Sequence, residues 1–221
     1  MINILFEDAD ILVCIKPAGT LSELSEAENS LPRVIINEAF AAGREINLFA
    51  VHRLDREVSG VMVYAKNPKA AAELSLQVAD RSFEKEYLAV VEGVSEERSA
   101  TLVDLLFKDS RKNKSFVVDR KRRGVKEASL FYETVAVEGE YSLVKITLHT
   151  GRTHQIRVQF SSRKMPVLGD GKYGSSVRER EIALASCRIS FKHPRTKERV
   201  EFSHLPTGAV WSSFESIMEN E

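Results

Sequence analysis

Asp55 is the carboxylate whose neighbours most resemble a reaction centre. It lies between Arg53 and Arg56 in VHRLDREVSGVMVYAK, residues 51–66, with His52 and Leu54 before it and Ser59-Gly60 after it. An opposite charge at contact distance lowers a carboxyl pKa by about 1 to 3 units, so two flanking guanidinium groups would hold such an acid ionised. A guarded, ionised carboxylate suits a nucleophile or an anchored counter-ion. A surface salt-bridge cluster at a loop is the plain alternative from charge spacing alone. The following run Val61, Met62, Val63 and Tyr64 reads as a buried strand, which puts the acid on a polar loop feeding a sheet.

Other chemistries are thinly supported. The histidines at 52, 149, 154, 193 and 204 show no HxxxH spacing and no paired cysteines accompany them, so no metal site is expected. GxSxG and P-loop patterns are absent, and the three glycines of LGDGKYG, residues 168–174, lack the βαβ context of a dinucleotide site. Cys14 and Cys187 lie far apart among apolar neighbours and read as reduced, buried thiols. With 221 residues, 43% hydrophobic and 29% charged, the chain is long enough to bury a full core. No apolar run approaches the ~18 residues of a membrane span and the start lacks a basic leader, which makes a cytoplasmic location the expectation. The formal net charge is zero, yet charge is segregated. Residues 108–126 hold nine basic side chains (Lys108, Arg111, Lys112, Lys114, Arg120, Lys121, Arg122, Arg123 and Lys126) against Asp109 and Asp119. Such a block suits phosphate contacts, or is a solvated hairpin.

The elements that must carry these residues follow from pattern. Residues 11–15 read as a strand ending in the turn KPAG; Ser30 caps a helix with Pro32 in its first turn and Gly43 past its end. Asn67-Pro68 opens a second helix running to about Arg81. Residues 85–91 read as a strand buried on both sides. Residues 114–118 and 127–137 read as two strands joined across the basic turn, and 141–149 as another. GRTHQIRVQFSS, residues 151–162, fits strand and helix alike. LGDGKYG reads as a flexible loop, 182–191 and 200–202 as strands, and 210–218 as a short amphipathic helix. No internal repeat or low-complexity tract is evident.

HRLD, followed three residues later by SG and an apolar run ending in AK, resembles the catalytic-loop signature of the RluA family of pseudouridine synthases. KPAG at 16–19, KEYLAVVEG at 85–93, GRTHQIRV at 151–158 and LGDGKYG at 168–174 match in the family's order, so the resemblance spans nearly the whole chain. It implies an α+β fold: one catalytic domain over 1–221 in two packed halves, with a central, mainly antiparallel mixed sheet, flanking helices and an active-site cleft; the sequence before the catalytic segment reads as carrying no appended RNA-binding domain. It implies an isomerase that converts uridine to pseudouridine in tRNA or rRNA by flipping the base, with no cofactor or metal, acting as a monomer on structured RNA. In this reading Asp55 is the essential carboxylate, Arg157 pairs with and orients it, and Tyr87 packs against the base and takes the C5 proton. Leu184 lines the uracil pocket, and Arg53, Arg56, His154 and Gln155 contact the substrate. Lys114, Arg120, Lys121, Arg122 and Arg123 grip the RNA backbone. The resemblance also favours a helix beginning near His154. Two positions depart from the family: Val58 stands where threonine is common, and Ala185-Ser186 where a histidine-alanine pair is common. A non-catalytic RNA-binding or folding module, or a nucleosidase releasing free uracil, are the competing classes.

Overall fold

The computed structural model describes residues 2–219. In chain order the elements are β1 (Ile4–Glu7), β2 (Ile11–Lys16), α1 (Leu31–Ala41), β3 (Phe49–Ala50), β4 (Ser59–Ala65), α2 (Pro68–Asp80), β5 (Glu84–Glu92), β6 (Ser99–Asp109), β7 (Lys114–Val118), β8 (Val125–Glu138), β9 (Tyr141–Leu148), α3 (Gln155–Ser161), β10 (Leu184–Lys192), β11 (Arg199–Ser203) and α4 (Glu215–Met218). Short 3-10 helices cover Gly171–Tyr173 and Ala209–Phe214. The fold is α+β with mixed strand pairing, as the resemblance implied. Among the described residues no helix is long and apolar enough to cross a membrane.

The chain divides into two compact units. The first takes the residues up to Lys85 together with Ala185–His204. Here β2 pairs antiparallel with β1 and β4, β11 pairs antiparallel with β10, and β10 meets β4 in parallel through Ala185↔Ser59 and Ser186↔Gly60. Ile11, Val13, Val61, Val63, Ile189 and Phe191 supply its core, with Ala70 and Leu74 of α2 and Phe83 packed against them. Each large apolar side chain so buried contributes about 1.5–3 kcal/mol over its exposed state. Asn67 caps α2 as its sequence position predicts, its Oδ1 accepting from Ala70 N at 2.9 Å. Ser30 stands at the N-cap of α1 but does not cap it. Its hydroxyl donates to Glu23 O and accepts from Ser25 N, closing the loop before the helix instead.

The second unit comprises Glu86–Leu184 and Leu205–Glu221. Its strands run β5-β9-β8-β6-β7, all neighbours antiparallel. The strands predicted across the basic turn are present as β7 and β8, but they are not partners. β6, absent from the pattern reading, lies between them and pairs with both. β5 is buried from Tyr87 to Val91, as its two apolar faces require. The GRTHQIRV segment is helical, although the helix opens at Gln155, with His154 preceding it at a left-handed φ of 54°. The tail forms a 3-10 turn before α4 rather than one continuous helix, and it buries Trp211 and Phe214.

Candidate active site

The loop bearing Asp55 is fixed on both sides of the acid. Leu54 N–H donates to Ser22 Oγ at 3.0 Å while the Ser22 hydroxyl donates to Leu54 O at 2.9 Å. The Tyr64 hydroxyl, projecting from β4, in turn donates to Ser22 O. On the other side Arg56 O accepts from Gly19 N at 2.8 Å and from Lys16 Nζ at 3.1 Å. Val58 N–H donates to Asp55 O, closing a turn around the acid. Asp55 itself is half-buried, between the buried Leu54 and the exposed Arg56.

Lys16 is the cation this arrangement depends on. It is fully buried, and its ammonium also donates to Pro17 O and Thr20 O. Burial pushes it down to about 8, while the charges of Asp55 and Glu57 act in the opposite direction. A buried ammonium must have its donors satisfied, and here three carbonyls do so while tying KPAG to the Asp55 loop. The sequence pattern assigned the guarding charges to Arg53 and Arg56. Both are exposed, and the Arg53 guanidinium is directed to Glu23 at 3.4 Å. His52, the first residue of HRLD, is structural. Its Nε2 accepts from Val63 N–H, and burial, helped by the charge of Lys85, pushes it down to about 3, so the ring is neutral at physiological pH.

Gly60 explains why glycine follows Ser59. Its φ is +120°, and a Cβ there would lie 2.2 Å from the carbonyl oxygen of Ser186. The parallel contact of β4 with β10 therefore requires its absence. Val58 is buried and Ala185-Ser186 lies inside β10, so both departures from the family pattern fall on interior positions beside this contact. The hydroxyl of Ser186 is buried without a hydrogen-bond partner.

In the second unit Arg157 is buried on α3. Its Nε reaches Asp170 Oδ2 at 2.6 Å and its second terminal nitrogen reaches Oδ1 at 2.9 Å, a bidentate pair. The guanidinium also lies 5.1 Å over the Tyr173 ring. Tyr173 takes Ser115 N–H on its hydroxyl and shares a 2.8 Å hydrogen bond with His154 Nδ1. LGDGKYG is thus an ordered segment, not a flexible loop: Asp170 and Tyr173 are buried, and a Cβ on Gly169 would meet Glu181 O at 2.4 Å. The Gln155 amide is taken up locally, accepting from Thr150 Oγ1 and Arg152 N and donating to Ser129 O. Tyr87 is buried in β5 opposite Ile146, and Leu184 is buried at the start of β10. Of the basic residues, Lys114 is half-buried, its ammonium 4.9 Å from the centre of the Tyr173 ring with Nζ donating to Lys172 O. Arg120, Lys121, Arg122 and Arg123 are exposed in the connection 119–124.

Pattern reading missed Lys16 as an interior charge, Ser22 as the loop's clasp and Asp170 as the partner of Arg157. Only the KPAG match pointed toward the first. Asp8, Asp10 and His193 bring potential ligand atoms within 4.8 Å of one another. Asp10 is nevertheless paired with Arg195, and His193 Nδ1 accepts from the Arg195 and Thr196 N–H groups. His193 Nε2 lies 3.0 Å from Asp8 Oδ2, so the potential ligand atoms of this group face one another and Arg195. Both cysteines are free and buried, as expected.

Residues 10–162, which include the clamped loop, β5 and α3, match the family model described as RNA pseudouridylate synthase. The chain belongs to that family. Pseudouridine synthases are isomerases, and the RluA-type resemblance of the HRLD segment is upheld. The ribosomal large subunit pseudouridine synthase D of Borreliella burgdorferi is 32% identical over 93% of this chain and 65% of its own length. The tRNA pseudouridine synthase C of Haemophilus ducreyi is 29% identical over 92% of this chain and 90% of its own. Human RNA Pseudouridylate Synthase Domain Containing 4 shares the fold, with a TM-score of 0.80 at 22% identity over 98% of this chain and 93% of that one.

Proposed function

We propose that this pseudouridine synthase isomerises uridines in tRNA or rRNA in the cytoplasm, with Asp55 as the catalytic carboxylate and the target base flipped out of its stack. In the reaction the bond from C1′ to N1 breaks, the uracil rotates, and C1′ bonds to C5. The proton lost from C5 is balanced by one gained at N1, so no electron acceptor enters. The observation that carries the assignment is the clamp around Asp55: Ser22 bonded to Leu54, Lys16 and Gly19 bonded to Arg56, and a buried ammonium beside the acid. Such pre-positioning is what a group acting on a single atom of its substrate needs.

Arg157 is assigned to orienting the carboxylate, held for that task by Asp170. Tyr87 packs against the base and takes the C5 proton, a step in which a phenol of ordinary pKa near 10 needs help. Leu184 lines the uracil pocket, and Arg53 and Arg56, both exposed beside the acid, contact phosphate or sugar. His154 and Gln155 contact the substrate, held in place by the Tyr173 hydroxyl and by the α3 entry. Arg120, Lys121, Arg122 and Arg123, with Lys114 at their base, hold the RNA backbone. Relatives named for ribosomal and for transfer RNA both support an RNA substrate. Eversion costs a few kcal/mol for a stacked base, which favours loops over duplex as targets. In the test, purified Asp55→Asn is compared with wild type on total tRNA and rRNA. The variant keeps its melting temperature and RNA affinity and forms no pseudouridine. Product formation at the wild-type rate by Asp55→Asn would end the assignment, and release of free uracil would replace it with a nucleosidase.

A further inference from the structure

The strands β7, β6 and β8 have one face packed and one face open. On the packed side, Asp104 of β6 bonds to Gln159 and Arg163 of the α3 segment, and Leu106 joins Ala128, Val158 and Tyr173 in a core cluster. Successive strand residues face opposite ways, so Val103, Leu105 and Phe107 project on the other side. Phe116 lies opposite Phe107 in register, and Phe131 opposite Thr101, which continues the same face across all three strands. Val103 is 56% exposed, Phe131 37% and Phe116 36%. Single exposed apolar residues need no explanation, but a contiguous set does.

Cations sit directly over these rings. The connection 119–124 crosses β6 on this side, from Val118, opposite Leu105, to Val125, opposite Phe107. A Cβ on Gly124 would be 3.5 Å from the Phe107 ring, and the Arg122 guanidinium lies 5.1 Å over it. From the β6–β7 turn the ammonium groups of Lys112 and Lys114 lie 6.0 and 5.9 Å from the centre of the Phe116 ring. Asp109 bonds to the N–H groups of Arg111 and Lys112 in its own turn, which leaves Glu127 and Glu133 as the acids on the β8 part of this face.

We infer that this face is a platform for an unpaired stretch of RNA lying outside the reacting uridine. Bases stack on Phe116, on Phe131 and on the Arg122 guanidinium already laid over Phe107, while the two basic turns take phosphates. Aromatic faces and guanidinium planes framed by cations are the chemistry that recognises splayed bases joined by phosphates. Duplex RNA offers phosphates but no base faces, and a protein partner would leave Arg120, Lys121, Arg122 and Arg123 of the connection, against the single acid Asp119, to be matched acid by acid. The inference rests on the RNA reading proposed above.

A short labelled oligoadenylate, which contains no uridine to isomerise, tests it by fluorescence anisotropy with the full chain, beside a labelled guanosine-cytidine duplex of the same length. Wild type binds the unpaired strand more tightly than the duplex. Because stacking contributes about 1–3 kcal/mol per base, the double variant Phe116→Ala/Phe131→Ala weakens that binding at least about tenfold while leaving duplex affinity and salt dependence unchanged. Phe116→Trp/Phe131→Trp, which keeps the stacking faces, binds as wild type does. Equal oligoadenylate affinity for wild type and the alanine variant overturns the platform. So does a shift in sedimentation showing that the phenylalanines join two copies of the chain. Asp55→Asn retains oligoadenylate binding, so absence of pseudouridine from wild type would undo the catalytic reading and leave this one standing.

Discussion

At the residue scale the Asp55 loop is tied down by an interior charge. Lys16 ends a strand and is followed by proline and glycine, a context in which a lysine reads as a surface side chain, yet it is fully buried with three carbonyls around its ammonium. Desolvation brings it down to about 8, against 10.5 for a free side chain. Its folded value lies below its unfolded value, so the folded state gives up the proton first as pH rises. Between about 8 and 10.5 global stability therefore rises with pH, because the buried charge is removed. Activity should move the other way. Once Lys16 is neutral, the positive charge beside Asp55 and one donor to the loop carbonyls are lost. The expected outcome is a rate of pseudouridine formation that falls as pH passes about 8, and a Lys16→Met variant that is slower throughout and lacks that fall. Rates measured from pH 6.5 to 9.5 on one RNA check this; an alkaline limb retained by Lys16→Met would assign it to another group. Asp55 as the candidate acid was legible from HRLD alone, because both its neighbours and the apolar run after it are local in sequence. The buried charge of Lys16 was not, since it arrives from a segment 39 positions earlier.

At the element scale, what could be read was what is encoded within a few residues. Asn67-Pro68 announced α2, and the two apolar faces of β5 announced a buried strand. β6 escaped because SATLVDLLFKD has apolar side chains on both faces, with Leu102 and Leu106 inward and Val103, Leu105 and Phe107 outward, but Asp104 among them, so neither alternation nor an unbroken apolar run marks it. The LGDGKYG segment misled for a different reason: its glycines suggest mobility, but Asp170 is fixed by a partner on another element. That pair is testable. Asp170→Asn leaves the buried Arg157 guanidinium without its bidentate acid, and breaking a buried pair from one side costs about 3–5 kcal/mol. A urea midpoint within error of wild type would show that Arg157 is held by other contacts. Gly60 offers a second test. With a Cβ 2.2 Å from a backbone oxygen at φ +120°, Gly60→Ala forces β4 and β10 apart and should cost roughly 3 kcal/mol or more, or prevent folding. A melting temperature lowered by less than about 2 °C would show that the strand contact is not required.

For the whole molecule, a formal net charge of zero conceals how the charge is arranged. Residues 108–126 hold nine basic and two acidic side chains, an excess of seven, and the remainder of the chain carries the matching excess of acids. A uniformly mixed protein would gain little from counterion release on meeting RNA. A segregated one gains at the basic block and is repelled elsewhere, which orients the approach as well as strengthening it. The exposed connection 119–124 should therefore dominate the salt dependence of RNA affinity despite being a small part of the surface. Each phosphate neutralised on a single strand contributes about −0.7 to the slope of log K against log salt. Removing two of the exposed charges with Arg120→Gln/Arg123→Gln should flatten the slope by about 1.4 and weaken binding to all RNA sequences alike. Glutamine keeps the stem and hydrogen-bonding end of each side chain, so stability should stay within about 0.5 kcal/mol of wild type. The measurement is affinity for one tRNA from about 50 to 250 mM salt, across the range in which phosphate contacts separate most clearly. An unchanged slope would mean that these arginines remain solvated in the complex and that the RNA is held by a different surface.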